Sequence, residues 1–140
     1  MSGQFTLAAG SAVSLTTGTV ANVLSPTIAA GLYLVWGRVN FGLSAVTMTN
    51  AQAAVSLTSA TMPTQAGDSW LGPDAITILP LLVSLLTDTV SVECGPTMLT
   101  LVVPTTVYLC AKTTFSLGSM TAYGTLSILP MLGASFDLKM

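Results

Sequence analysis

The stretch Gly31-Leu32-Tyr33-Leu34-Val35-Trp36-Gly37-Arg38-Val39-Asn40-Phe41 decides how this chain folds. Side chains alternate between the two faces of a strand, which puts Tyr33, Val35, Val39 and Phe41 on one face. Leu32, Leu34, Trp36, Arg38 and Asn40 fall on the other. The first set is a candidate core face. The second begins apolar and turns polar only at its end, whereas an antiparallel sheet with one solvated face alternates cleanly. The segment from Val107 to Phe115 is more regular. Val107, Leu109, Ala111 and Phe115 point one way, and Tyr108, Cys110, Lys112 and Thr114 the other, so its second face still carries Tyr108. Exposed in a monomer, such faces form the apolar patches that mark partner interfaces. Leu34, Trp36, Tyr108 and Tyr123 are therefore the expected contacts between copies. The competing reading is that they cover sheet edges and loops within one protomer.

Outward from this stretch, strand signals recur about every ten residues and no segment has a helical period. The candidates are 12–15, 20–24, 31–41, 53–57, 76–86, 89–94, 98–103, 107–115 and 123–129, punctuated by Gly42, Pro63, Gly67, Gly72-Pro73, Gly95-Pro96, Pro104 and Gly118. Eight to ten or so short strands at this spacing predict one all-β domain, a sandwich, jelly roll or barrel.

Composition narrows the function. The chain has 140 residues, room for one domain. Lys and Arg number 3 and Asp and Glu 5, giving a net charge of -2 with 6% of residues charged, against about 25% in a typical soluble domain. Hydrophobic residues make up 51% and the mean hydropathy is +0.80. Three basic residues cannot neutralise the six to ten or so phosphates of a nucleic-acid contact, so no nucleic acid is expected. A spanning helix needs about 20 apolar residues, but Asn22, Ser25, Pro26, Thr27 and Gly31 break the best window, and Pro80 breaks the run 75–86. Ser and Thr are spread evenly, and the β-branched Thr, Val and Ile are frequent, which suits strands; no membrane span is expected. Met1-Ser2-Gly3-Gln4-Phe5 lacks a basic n-region and an apolar h-region. Synthesis in a cytoplasm follows, with Cys94 and Cys110 as reduced, buried thiols; a disulfide is supported only by the even count. Scarce charge also fits a subunit packed in an assembly, since obligate interfaces are depleted of Lys, Glu and Asp.

Catalytic chemistry has little to stand on. Histidine is absent, and with it the commonest general base and metal ligand. No Gly-x-Ser-x-Gly elbow occurs. The acids Asp68, Asp74, Asp88, Glu93 and Asp137 fall at turns and strand ends, where acids are ordinarily solvated. Cys94 and Cys110 lack zinc-site spacing. No enzyme, cofactor or resident metal is expected. The loop carrying Asp68, Trp70 and Asp74 has two readings beyond simple solvation: a calcium site completed by backbone carbonyls, or a receptor or glycan contact. Trp70 serves equally as a contact anchor or as a cover over the end of the sandwich.

The segments Ala-Val-Ser-Leu-Thr-Thr-Gly-Thr-Val-Ala-Asn-Val at 12–23, Ala-Gly-Leu-Tyr-Leu-Val-Trp-Gly-Arg-Val-Asn-Phe at 30–41, Leu-Thr-Ser-Ala-Thr-Met-Pro at 57–63, Thr-Val-Tyr-Leu-Cys-Ala-Lys-Thr-Thr-Phe at 106–115 and Thr-Ala-Tyr-Gly-Thr-Leu-Ser at 121–127 resemble, in order and spacing, small virion proteins of tailed bacteriophages. The Gly-x-Tyr-x-Val…Val-x-Phe pattern with a late Val-Tyr-Leu…Phe is similar to the C1q/TNF-like jelly roll, which forms trimers. The apolar stretch after residue 127 departs from the family, where basic residues are expected.

This resemblance implies an antiparallel two-sheet jelly-roll sandwich over 11–140, assembled as a homotrimer, preceded by an N-terminal arm over 1–10. It implies a capsid decoration (cement) protein at three-fold or quasi-three-fold capsomer junctions, on the virion surface and made in the host bacterial cytoplasm. The major capsid protein would be its partner, with another head or fibre protein as a further one. The uncharged arm, with Gln4, Phe5 and Leu7, would add a strand to the capsid or a neighbouring protomer. The alternatives are a tail-fibre or head-fibre tip domain binding a host receptor or glycan, and a minor tail or baseplate subunit.

Overall fold

The computed structural model describes residues 3–63, 74–78 and 83–131, with the backbone alone for 74–78 and 83–88. Among them are strands β1 (Gly3–Leu7), β2 (Val13–Ser14), β3 (Ala21–Leu24), β4 (Thr27–Ile28), β5 (Gly31–Ser56), β6 (Asp74–Ile78), β7 (Val83–Leu101), β8 (Thr105–Thr106), β9 (Tyr108–Ser116) and β10 (Ser119–Pro130). One 3-10 turn, Ala9–Ser11, separates β1 from β2. No helix among the described residues is long and apolar enough to cross a membrane. Every ladder is antiparallel, so the all-β sandwich is as expected.

The spine is β5, whose 26 residues far exceed the usual strand of about 5–6. Along one edge β9 and β10 form a single interrupted ladder, with Ser116 opposite Thr47 and Ser119 opposite Ser44. Along the other edge lie β6 and β7, opposite 51–55 and 31–48. The interruption is a corner. Ala45, Leu117 and Gly118 have φ of 54°, 61° and 62°, and a Cβ on Gly118 would stand within 2.2 Å of the Ser44 carbonyl oxygen. Left-handed residues and a close backbone crossing bend the ribbon sharply, and its second half folds over its first. Leu109 on β9 then meets Gly37 on β5 so closely that a Cβ at Gly37 would lie 2.5 Å from Leu109 Cδ1.

One layer is thus β7, β5, β10 and, along the outer edge of β10, β1 and β2. The other is β6, β5, β9 and β3. β1 and β3, the two ends of the sheet path, come near each other, so the sandwich is almost a barrel. A separate ribbon of β4 and β8 buries Ile28.

Tyr33, Val35, Val39 and Phe41 are buried, at most 3% exposed, as their alternation predicts. Burying each contributes on the order of 1.5–3 kcal/mol. The Tyr33 hydroxyl remains satisfied by donating to the Ala29 carbonyl at 2.9 Å. Past Leu43 the inward phase changes twice. Val46 and Met48 are buried after Ala45, and Ala51, Ala53 and Val55 after the slip between Met48 and Asn50. Each one-residue slip exchanges the two faces. The expectation of separate strands over 31–41 and 53–57 is therefore corrected: both belong to β5.

The arm expected over 1–10 is corrected too. Gly3–Leu7 pairs with β10 of its own chain, from Gly3 opposite Ile128 to Leu7 opposite Gly124. Phe5 and Leu7 pack against the core while Gln4 is exposed. The physical reason is that β10 otherwise has a bare edge and the core an uncovered margin. Cys94 and Cys110 are buried, form no disulfide with each other and lie in separate apolar clusters.

Candidate functional site

Three central strands of the first layer turn a mixed face outward. Successive outward positions of β5 are Leu32, Leu34, Trp36, Arg38 and Asn40, none of them in the core. The ladders set their neighbours. Leu34 lies between Leu129 of β10 and Met98 of β7, Arg38 between Thr125 and Glu93, and Asn40 between Tyr123 and Ser91. Cross-strand neighbours of this kind stand within about 5.5 Å of each other. One end of the face is therefore apolar and the other polar. The Ser91 hydroxyl donates to Asn40 Oδ1 at 2.6 Å, and Arg38 Nη1 lies 3.8 Å from Glu93 Oε2. Val102, just past the end of β7, is 85% exposed.

Trp36 stands where the two ends meet. On the β10 side it opposes Ser127. On the β7 side the register slips between Val35 and Gly37, so that the two residues Gly95 and Pro96 oppose Trp36 alone. Gly95 has φ of 89°, and a Cβ there would come 2.8 Å from the Val35 carbonyl oxygen and 3.1 Å from Trp36 Cα. Glycine lets the bulge lie close against the β5 backbone at Val35 and Trp36. Trp36 keeps 39% of its surface exposed and is flanked by two shallow grooves. One, about 340 Å³, is apolar, with Leu34, Gly95 and Pro96 in its wall. The other, about 310 Å³, is polar, with Gln4, Arg38, Glu93, Thr125 and Ser127.

The structure brings together three of the four residues expected between copies. Leu34 and Trp36 share the face, and Tyr123 joins its polar end opposite Asn40. Tyr108 does not join them. It opposes Ser56 in the second layer and packs against Ala54 and Cys110 with Val20 and Met62. Asn22 holds the covering segment there: its Nδ2 donates to Ser59 Oγ at 2.8 Å, and its Oδ1 accepts from the Ala60 N–H at 2.8 Å. Burial pushes the Cys110 thiol above its ordinary value, opposed by backbone hydrogen bonds from Thr61 and Ala60.

Of the other expected contacts, Phe5 and Leu7 face the core, and Gln4 donates to Ser127 Oγ at 3.4 Å on the rim of the polar groove. Asp74 opens β6, opposite Val55, while Asp68 and Trp70 lie outside the described residues. Among the described residues no three His, Cys, Asp or Glu side chains gather as a metal site. Sequence reading passed over Leu129, Met98 and the Arg38–Glu93 pair because only strand register makes them neighbours. The Gly95-Pro96 dipeptide was the one available signal, read as a turn.

No family model matches this chain, and no curated protein matches it in sequence. Among solved structures it is similar to the VP2 subviral particle of infectious bursal disease virus, at 14% identity and a TM-score of 0.49 over 95% of this chain and 33% of that one. Structures of the Gx and Gt strains of the same virus give 18% and 15% identity and TM-scores of 0.47 and 0.44, each over 95% of this chain and 32% of that one. The chain spans about a third of the length of each.

Proposed function

We propose that this protein is a structural subunit of a virion that assembles as a homotrimer and decorates a bacteriophage head. The observation that carries the assembly is the outward face of β5, β7 and β10. Leu34, Leu129 and Met98 make an apolar end beside the polar end of Arg38, Glu93, Asn40 and Tyr123, with the exposed Trp36 between them. Exposed apolar patches mark partners, and a protein interface joins apolar surface to polar surface beside it. The virion role rests on the resemblance of the five quoted segments to tailed-phage proteins.

In this reading the trimer seats on three-fold or quasi-three-fold junctions of the major capsid protein. Three copies of each contact then act together through effective concentration. Phe5 and Leu7 are not available to the capsid, because they pack on their own core. The test adds purified protein to undecorated capsids and separates bound from free by sedimentation. The proposal expects saturable binding, with three chains per occupied junction. Protein left wholly in the supernatant would move the assignment to a fibre or tail subunit.

A further inference from the structure

We propose that the polar groove beside Trp36 is a binding site for an uncharged saccharide. A pyranose ring has a face of C–H groups and a rim of hydroxyls, so it needs an exposed aromatic plane with donors and acceptors beside it. Trp36 supplies the plane. It is 39% exposed, it is carried by β5 between β7 and β10, and the Gly95-Pro96 bulge lies close against its Cα and Cβ. The negative π-face of an indole attracts polarised hydrogens, and two layers of packed sheet hold it in place.

The polar partners line the same groove: Gln4, Arg38, Glu93, Thr125 and Ser127, around about 310 Å³. That volume is at the small end of ligand pockets, which start at about 300 Å³. The Arg38–Glu93 distance of 3.8 Å is beyond hydrogen-bond length, and the two side chains are 55% and 73% exposed. A guanidinium has five N–H donors and a carboxylate about four acceptor positions, so both keep capacity for a ligand. The Gln4–Ser127 contact, at 3.4 Å, is similarly long.

Charge chooses among ligands. Arg38 and Glu93 cancel, and the other described cation, Lys112, sits on β9 in the second layer. A phosphate or nucleotide would meet no net positive charge, and a purely apolar molecule would strip water from five polar side chains. A neutral polyhydroxylated ring satisfies both the indole and its polar neighbours. The site lies on the polar side of Trp36, away from Leu34, Leu129 and Met98; it shares Arg38 and Glu93 with the face proposed to join copies, so it rests on that contact being made through the apolar end and leaving the polar end open.

The experiment titrates the full chain with maltotriose, cellotriose and chitotriose at millimolar concentrations, read by saturation-transfer NMR and calorimetry. At least one should bind saturably. Trp36→Ala should abolish that binding, and Arg38→Ala or Glu93→Gln should each weaken it about tenfold, the scale of a lost hydrogen bond to a charged group. Arg38 and Glu93 are exposed, so their variants stay folded and keep the test sound if Trp36→Ala does not. Failure of all three sugars to saturate overturns the proposal. So does equal binding by wild type, Trp36→Ala and Arg38→Ala, or a preference for phosphorylated over neutral sugars.

Discussion

Gly118 has two reasons to be glycine. Its φ is 62°, and a Cβ would collide with the Ser44 and Ala45 carbonyl oxygens at 2.2 and 2.5 Å. Backbone oxygens at a corner cannot step aside as a side chain can, so Gly118→Ala should cost about 3 kcal/mol or more in urea unfolding. Thr113 makes the opposite case. Its hydroxyl is buried with no hydrogen-bond partner, and an unpaired buried hydroxyl is destabilising by about 1–3 kcal/mol. Thr113→Val should raise stability by about 1 kcal/mol, and a loss would mean that the hydroxyl is satisfied. Cys110 gives a pH dependence. Burial raises its pKa in the folded state, so folding favours the protonated thiol. That contribution is complete below the unfolded value of about 8.5 and is lost as pH rises through the folded value. From about pH 8 upward, the wild type should lose stability faster than Cys110→Ala; parallel curves would contradict the assignment.

At the scale of the element, β1 is where the structure most changes the expectation. As an edge strand it contributes Phe5 and Leu7 to the core and five residues of ladder to β10. Deleting residues 2–7 should therefore lower the unfolding free energy by several kcal/mol, on the scale of large-to-small core changes. A deletion that leaves stability unchanged would restore the free arm. The period-two pattern of 31–41 was legible because no bulge lies in its core face, and every inward residue read there is buried. The middle of β5 was not. Ala45 at positive φ and the slip before Asn50 each reverse the alternation, and a period broken twice in six or so residues has no periodic signature. The candidate site was half legible for a related reason. Leu34 and Trp36 lie on the readable strand, whereas Leu129, Met98, Glu93 and Gln4 reach them only through pairing across 50 to 120 or so positions of sequence. Tyr108 was grouped with Trp36 because an outward phase does not say which layer the strand belongs to.

For the whole molecule, the corner makes one sheet into two layers, so each layer has its own outer face, and that of the first joins an apolar end to a polar end. The second is covered by its own segment at 57–62, held by Asn22 and packed on Cys110. The central claim is that the first face joins copies of the chain, and it is tested most directly by the mass in solution. Light scattering on the purified full chain should give about 43 kDa, three times 14.3 kDa, and Leu34→Asp, which places a charge at the apolar end, should reduce it to 14.3 kDa with the fold intact. A wild-type chain that runs as a 14.3 kDa monomer, or a trimer indifferent to Leu34→Asp, would contradict the account.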